Sequence, residues 1–283
     1  MIFADYHVHT SFSPDAHIDM EEMVLRGIEL GLTEMAFTDH VDLEPANEDF
    51  ITITDYKKYY PVFKKLQGKY ADRINLLLGI ENGFQEKVVP QMDKIVAETP
   101  FDFVLLSVHS AGGKSYSTPE YFEGITQETA TMRYLETILK AVSNYKNYDS
   151  LAHLTCLARY IESKKIPYSI YKEYFDEIFN LLIAGGKCLE VNTSGYRYGL
   201  NLPIPNWSLL KCYYQAGGRY ITLGSDAHKA EDLAMDFQRV QDGLEIIGFK
   251  KLSTFRSREM ILQPINGSPL QGINHLITKR IHG

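Results

Sequence analysis

Histidine and acidic residues recur in this chain where apolar runs end. Seven of the nine histidines lie at or just after such a boundary, and acidic residues accompany them. The set comprises Asp5, His7, His9, His17, Asp39, His40, Glu81, His109, His153, Asp226 and His228. Imidazole and carboxylate groups at many strand ends, facing one rim, are what a multinuclear metal site requires. His275 and His282 lie in the C-terminal tail, and we predict that they are surface residues.

Two pairs in this set have a spacing that directs both side chains the same way. His7 and His9 are two residues apart on an extended segment, and Asp226 and His228 repeat that spacing. Asp5 shares the face of His7, either as a further ligand or as a residue that orients one. The alternatives are histidines at a barrel mouth without metal, and a turn in which Asp226 caps a helix.

Glu81 ends the most apolar strand of the chain, where a carboxylate is costly unless it is paired or bound to a metal. A bridging position between two cations would suit it. His40, His109 and His153 each have a plainer interpretation, in a capped turn or as hydrogen-bonded core histidines. The metal site would be absent only if all of these plainer interpretations were correct at the same time. We therefore predict a metal site. Its nitrogen-rich donors suit zinc, iron or manganese better than calcium or magnesium.

Two arginines fall on the same predicted rim. Arg159 follows His153 by six residues, and Arg197 lies in the loop after the strand that ends near Asn192. A guanidinium group is suited to bidentate phosphate binding, and exposed salt bridges are the equally plausible alternative. The sequence has no Walker loop and no G-x-S-x-G elbow, so a covalent nucleophile is not indicated.

Short apolar runs alternate with helical patterns, which predicts parallel strands joined by helices. Helices are predicted from Asp19 to Leu30 and around Met132–Val142 and Ile170–Leu182. Candidate strands are residues 2–6, 35–38, 75–80, 103–108, 150–154, 188–192 and 219–224, with 252–255 as an eighth. Seven or eight such units with functional groups at their carboxyl ends predict a closed or distorted barrel. An open doubly wound sheet is the alternative, but it would gather side chains from only a few strand ends.

Composition limits the function classes. The chain has 283 residues without a clear composition break, so we predict one domain over residues 1–283. A net charge of −7 argues against a broad nucleic-acid surface. No stretch approaches the roughly 18 apolar residues of a membrane-spanning helix, and we find no signal peptide. Three widely spaced cysteines, Cys156, Cys188 and Cys212, predict reduced thiols in a cytoplasm.

The motifs resemble those of the polymerase and histidinol phosphatase (PHP) superfamily. They are Asp5-Tyr6-His7-Val8-His9-Thr10, Thr38-Asp39-His40, Gly79-Ile80-Glu81, Ser107-Val108-His109, His153 and Gly224-Ser225-Asp226-Ala227-His228. The resemblance implies an α/β fold, a distorted (β/α)7 barrel with three metal ions at the carboxyl ends of its strands. It assigns His7, His9, Glu81 and Asp226 to one ion, and Glu81, His109 and His153 to a second. The third ion would be held by His17, His40 and His228.

The length of the chain, without a polymerase module, resembles the stand-alone histidinol-phosphatase branch of that superfamily. This implies metal-dependent hydrolysis of L-histidinol phosphate in histidine biosynthesis, by attack of a metal-bridging hydroxide on phosphorus. Asp226, Glu81 and His228 would be catalytic, and Asp226 or a nearby histidine would protonate the leaving oxygen. Arg159 and Arg197 would bind the substrate phosphate.

Two other functions remain open on the sequence. One is a phosphoesterase of the same scaffold with another substrate: a nuclease, or a nucleotide or phosphotyrosine phosphatase. The other is a non-catalytic metal-binding protein, which the complete ligand set disfavours. An acidic loop after His40 suggests contact with the cationic amine or imidazolium of histidinol, although a solvated loop explains it equally well. Its acidic residues are Asp42, Glu44, Glu48 and Asp49.

Overall fold

Seven parallel strands form a nearly closed barrel, as the sequence predicts. The computed structural model describes residues 4–43, 52–53 and 56–265. Its strands are β1 (Ala4–Val8), β2 (Glu34–Phe37), β3 (His40–Asp42), β4 (Thr52–Ile53), β5 (Asn75–Gly83), β6 (Phe103–Ser107), β7 (Ser110–Ala111), β8 (Lys114–Ser115), β9 (Ser150–Leu151), β10 (Cys188–Asn192), β11 (Ile221–Gly224), β12 (Lys251–Arg256) and β13 (Glu259–Pro264). The barrel order is β1-β2-β5-β6-β9-β10-β11. This order follows the chain, so the open doubly wound alternative is wrong.

The barrel closes where β1 meets β11. An isolated parallel bridge joins Val8 to Ala227, and the backbone N–H of His9 donates to the Ala227 carbonyl at 2.9 Å. A second feature of the rim is a break after β2, beyond which β3 pairs with the end of β5 in the register His40–Glu81. Closure and this register bring the carboxyl ends of the first and last strands to the same rim.

Helices cover the outside of the barrel. They are α1 (Met20–Glu29), α2 (Tyr56–Lys69), α3 (Val89–Glu98), α4 (Gln127–Asn144), α5 (Lys172–Ala184), α6 (Ser194–Arg197), α7 (Trp207–Gln215) and α8 (Phe237–Ile247). All three predicted helices are confirmed, as α1, α4 and α5. In α1 the side chain of Asp19 accepts from the N–H of Glu21 at 2.8 Å, and Gly31 follows the end with φ +75°. No helix among the described residues is long and apolar enough to cross a membrane.

The barrel strands are buried along nearly their whole length, because they are covered on both faces. In β6, Val104 and Leu106 belong to the large core that includes the helices, whereas Phe103 and Leu105 belong to a second, smaller cluster. That smaller cluster also contains Phe255 of β12. Alternating side chains of one strand therefore pack against two different layers.

The candidate strand 252–255 exists, but it is not an eighth barrel strand. It lies in β12, which pairs antiparallel with β13. The turn of this hairpin contacts Asp102, just before β6, because Ser257 N–H donates to its Oδ1 and Arg258 N–H to its carbonyl, both at 3.0 Å. The ring of Phe255 lies 5.0 Å from that of Phe103. The hairpin therefore closes the amino-terminal end of the barrel, opposite the functional rim.

Some sequence predictions fall outside the described residues. These are the surface positions of His275 and His282, and most of the acidic loop with Glu44, Glu48 and Asp49. Asp42 is described and lies in β3.

We predict that Phe255→Ala destabilises the fold by about 3–5 kcal/mol, because it removes a buried ring between Tyr6 and Phe103. Ile261→Ala is the matched control, since Ile261 lies on the same hairpin and is 40% exposed. It should change the free energy of unfolding by no more than about 0.5 kcal/mol. Urea unfolding measures both, and similar values for the two variants would show that the hairpin does not close the barrel core.

Candidate functional site

The carboxyl ends of the barrel strands bring the predicted ligands together. Within several groups of three of these residues, the potential ligand atoms all lie within 4.8 Å of one another. The predicted metal residues found in these groups are His7, His9, His40, Glu81, His109, His153, Asp226 and His228. The structure therefore gathers every predicted metal residue except His17.

Glu81 lies at the centre of this cluster and is fully buried. One of its oxygens, Oε1, lies 2.9 Å from Nε2 of His153 and 3.2 Å from Nε2 of His109. The other oxygen, Oε2, faces three ring nitrogens at 2.8, 3.2 and 3.5 Å, those of His40, His7 and His9. The two oxygens thus face two different sets of histidines, which is the arrangement that a bridging carboxylate needs.

Several buried atoms in the cluster have no hydrogen-bond partner. They are Nε2 of His7, His9 and His228, and Oε2 of Glu81. The other ring nitrogen of His7 lies 2.6 Å from Glu190, and that of His9 lies 3.0 Å from the Ser13 hydroxyl. Buried polar atoms without a hydrogen-bond partner are costly unless a cation satisfies them. The residues therefore fit divalent transition-metal ions.

The charges of the cluster attract positive charge. Burial by itself would raise the pKa of Glu81, but His7, His40 and His109 hold that pKa well below its usual range. Burial opposes the proton on His7, yet Glu190, Glu81 and Asp226 raise the pKa of His7 well above its usual range. Burial and the neighbouring His228 and His40 lower the pKa of His9. Metal ions would supply positive charge here without crowding protons onto adjacent imidazoles.

The structure does not place His17 in the cluster. Its side chain is exposed, and it belongs to none of the ligand groups of the described residues. Asp15, two residues earlier, takes that position: its Oδ2 lies 3.2 Å from Nε2 of His228 and 3.6 Å from Nε2 of His40. The loop closes with a bond from Ser11 N–H to the Ile18 carbonyl at 2.8 Å. Asp15 is itself exposed, but its carboxylate faces these two histidines.

Asp5 orients backbone and does not join the ligands. Its carboxylate accepts from the N–H groups of Ser225 at 3.0 Å and Ala234 at 3.1 Å. The register of β1 shifts between Asp5 and Val8, so the strict alternation that predicts a shared face with His7 is broken. Asp5 also accepts from the N–H of His7 at 3.2 Å, and these backbone contacts favour the orienting role over the ligand role that the sequence also left open. Burial raises its pKa to about 6.

Asp39 holds the loop after β1. It accepts from the N–H of Thr10 and the hydroxyl of Ser13, both at 2.7 Å. Because Ser13 gives its proton to Asp39, it accepts from Nδ1 of His9, and Nε2 of His9 is left for a metal. In the sequence, Asp39 stands out only as the residue before His40, because the sequence spacing does not indicate its contact with Ser13.

Asp42 contacts a ligand histidine. Both of its carboxylate oxygens lie 3.2 Å from Nδ1 of His109, whose Nε2 faces Glu81. A contact of this kind fixes the ring orientation of a metal-bound imidazole. Asp42 also lines the cavity and forms a potential ligand group with His40 and His109, so its contact with the cationic groups of a substrate stays a prediction beside this orienting contact.

Both predicted arginines line the cavity beside the cluster, which has a volume of about 480 Å³. Arg159 donates to Oδ2 of Asp226 at 2.8 Å and also to the Ser194 hydroxyl, while its buried Nε has no partner. Arg197 donates to the carbonyls of Ser225 and Asp226 at 3.2 and 2.7 Å. Both guanidinium groups are therefore held in place at the edge of the cavity.

An aromatic ring supports these arginines. The guanidinium carbon of Arg159 lies 4.2 Å from the ring centre of Tyr198, and that of Arg197 lies 5.4 Å from it. Tyr198 also lines the cavity and is 48% exposed. Stacking on one ring restricts the motion of both cations, and sequence reasoning did not single out this tyrosine.

Comparisons with known proteins agree with this geometry. The family model described as the PHP domain matches residues 5–194. The chain is 31% identical over 254 residues to the histidinol-phosphatase of Lactococcus lactis, with 89% of this chain and 93% of the relative covered. The probable histidinol-phosphatase of Clostridium acetobutylicum is 29% identical over 242 residues, with 84% and 91% covered.

One solved structure is similar along almost the whole chain. It is histidinol phosphate phosphatase from Lactococcus lactis, in complex with zinc, L-histidinol and phosphate. The TM-score is 0.86 at 30% sequence identity, and the match covers 91% of this chain and 98% of the other. The shared fold includes the barrel described above.

We predict that Asp15→Asn lowers the affinity for a zinc ion held beside His40 and His228 by at least about tenfold, because an amide oxygen lacks the charge of the carboxylate. His17→Asn, two residues away, should leave zinc affinity unchanged. Competition with a chromophoric chelator measures both variants. The reverse result, with His17 required and Asp15 dispensable, would restore the prediction made from the family resemblance.

Proposed function

The chain belongs to the PHP domain family, in its histidinol-phosphatase branch, and from this we propose that it hydrolyses L-histidinol phosphate to L-histidinol and phosphate, a step of histidine biosynthesis. The observation that carries the proposal is the metal-ligand cluster, which opens into a cavity edged by two arginines. Such a cavity can hold a phosphate group between cations on one side and guanidinium groups on the other.

We assign the ligands to three ion positions. The first lies among His7, His9, Oε2 of Glu81 and Oδ1 of Asp226, which faces His7 and His9 at 3.6 and 3.5 Å. The second lies among Oε1 of Glu81, His109 and His153. The third lies among His40, His228 and Asp15. Zinc suits these donors, and iron and manganese are the alternatives.

When bound, divalent ions supply an activated water and neutralise charge on the phosphoryl oxygens. Arg159 and Arg197 would hold the phosphate beside these ions. Arg159 presents its buried, unpartnered Nε, and Arg197 is anchored by backbone carbonyls so that its charge stays beside the cavity. Guanidinium groups fixed in advance need no reorganisation as charge develops in the transition state.

Asp226 is better placed as a ligand than as the acid that protonates the leaving oxygen. Its Oδ2 accepts from Arg159, and its Oδ1 faces His7 and His9. The backbone of Asp226 has a positive φ of +56°. The proton donor would then be the other candidate of the sequence analysis, a nearby histidine.

The substrate is a small phosphate monoester. A cavity of about 480 Å³ is in the range of small-molecule sites, and the net charge of −7 disfavours a long nucleic acid. Another phosphate ester on the same scaffold is the alternative. We place the reaction in the cytoplasm, since the three cysteines of the chain are all free thiols.

With metal restored, we expect kcat/KM for L-histidinol phosphate of at least ~10⁴ M⁻¹s⁻¹, well above that for p-nitrophenyl phosphate or a short single-stranded DNA. Chelation should abolish phosphate release and added zinc or manganese should recover it. Comparable weak rates on all three substrates would reject the substrate and keep the phosphoesterase. Full activity in chelator would reject the metal-dependent reaction itself.

Asp42→Asn should lower kcat/KM about 10–100-fold for both histidinol phosphate and p-nitrophenyl phosphate, because it disturbs His109 and not a substrate contact. Steady-state kinetics with the two substrates provide the measurement. A rise in KM confined to histidinol phosphate would instead support a direct contact between Asp42 and the cationic groups of the substrate.

A further inference from the structure

A buried chain of hydrogen bonds runs behind the metal cluster from Arg159 to His7. Arg159 donates to the hydroxyl of Ser194, which donates to Oδ1 of Asn192. Nδ2 of Asn192 donates to Oε2 of Glu190 at 3.1 Å, and Oε1 of Glu190 lies 2.6 Å from Nδ1 of His7. Apart from Arg159, every residue in this series of hydrogen bonds is at most 1% exposed.

The donors and acceptors in this series of hydrogen bonds can be arranged in only one way. An arginine can only donate and a carboxylate can only accept, so every proton between them points toward Glu190. Oε2 of Glu190 is occupied by Asn192 and by the backbone N–H of His153, at 2.7 Å. Oε1 therefore accepts from His7, whose Nδ1 carries the hydrogen. With Nδ1 engaged by Glu190, Nε2 is the nitrogen of His7 that is left to bind a metal.

Gly224 gives an independent sign that this contact is built into the fold. A Cβ atom at Gly224 would lie 2.3 Å from Oε1 of Glu190 and 2.6 Å from Cβ of His7. The backbone of Gly224 does not have a positive φ. Glycine is therefore required here because it has no Cβ atom, and not because of its backbone conformation. The last residue of β11 thus leaves room for the Glu190–His7 pair.

We propose that Glu190 is a positioning residue of the metal centre. It holds His7 as the tautomer that presents Nε2 to a metal, it anchors the backbone of His153, and through Asn192 and Ser194 it links both ligands to Arg159. The link to phosphate rests on the proposed function. The effect on metal binding rests only on the contacts of Glu190.

The test uses Glu190→Gln, which keeps the shape of the side chain. Its NH2 group must face either Nδ1 of His7 or the two donors at Oε2, so it cannot satisfy all the partners of the carboxylate. We expect zinc affinity, measured by chelator competition without substrate, to fall about 10–100-fold. Gly224→Ala should weaken zinc binding in the same direction, since it displaces the same oxygen.

Glu34→Gln is the matched control. Glu34 is also a buried carboxylate, but it contacts Tyr6, Asn75 and Arg256 at the other end of the barrel. It should lower the melting temperature and leave zinc affinity unchanged. Wild-type zinc affinity in both Glu190→Gln and Gly224→Ala would overturn the proposal, and so would an equal loss in Glu34→Gln.

The link to Arg159 has its own readout. Ser194→Ala removes an acceptor of Arg159, so KM for the phosphate monoester should rise severalfold while zinc affinity stays at the wild-type value. An unchanged KM would remove Arg159 from the proposal. Because zinc binding is measured without substrate, failure of the wild-type protein to hydrolyse histidinol phosphate would reject the proposed function and leave the role of Glu190 to be decided by zinc affinity.

Discussion

The carboxylate of Glu81 has no exposure to solvent, and nitrogen atoms of five histidines lie within 3.5 Å of its oxygens. A charge buried in this way costs several kcal/mol unless positive charge compensates it. Five imidazoles at the strand ends of the barrel face this carboxylate, and bound metal ions would add further positive charge. We therefore expect folding and metal binding to be coupled at this residue.

The two ends of the barrel have different roles. At the amino-terminal end, the hairpin of β12 and β13 packs an apolar cluster and adds ion pairs such as Arg258–Asp149 at 2.5 Å. At the carboxyl end, the same strands carry ligands and the loops carry the arginines. Stability and chemistry are thus placed on opposite sides, as is general for barrels of this architecture. Substitutions at the rim can alter the reaction with little effect on the closed base.

The barrel and most of its ligands were predictable because they depend on local patterns. Apolar runs gave the strands, the spacing of His7 and His9 gave one pair, and Glu81 stood out because a carboxylate follows a buried strand. What could not be predicted depends on irregular backbone. A shift in the register of β1 moves Asp5 away from the ligands, and a turn brings Asp15 to the cluster in place of His17.

The residues that orient the ligands were the hardest to foresee. Glu190 and His7 are separated by 183 residues in sequence, so no spacing rule connects them. The only signal was an acidic residue inside a buried strand, which by itself does not name a partner. In the same way, the turn between β12 and β13 contacts Asp102, which lies about 155 residues earlier in the sequence. Long-range contacts of this kind depend on how the closed barrel brings distant segments together, so they are known only from the structure.

Glu81 is proposed to share ions with two sets of histidines. Anomalous diffraction at the zinc absorption edge, from crystals of the zinc-loaded protein, would locate these ions. We expect one zinc ion bound to each oxygen of Glu81 and a third bound by Asp15 with His40 and His228. Zinc bound elsewhere, with Glu81 contacting no ion, would rule out the shared carboxylate.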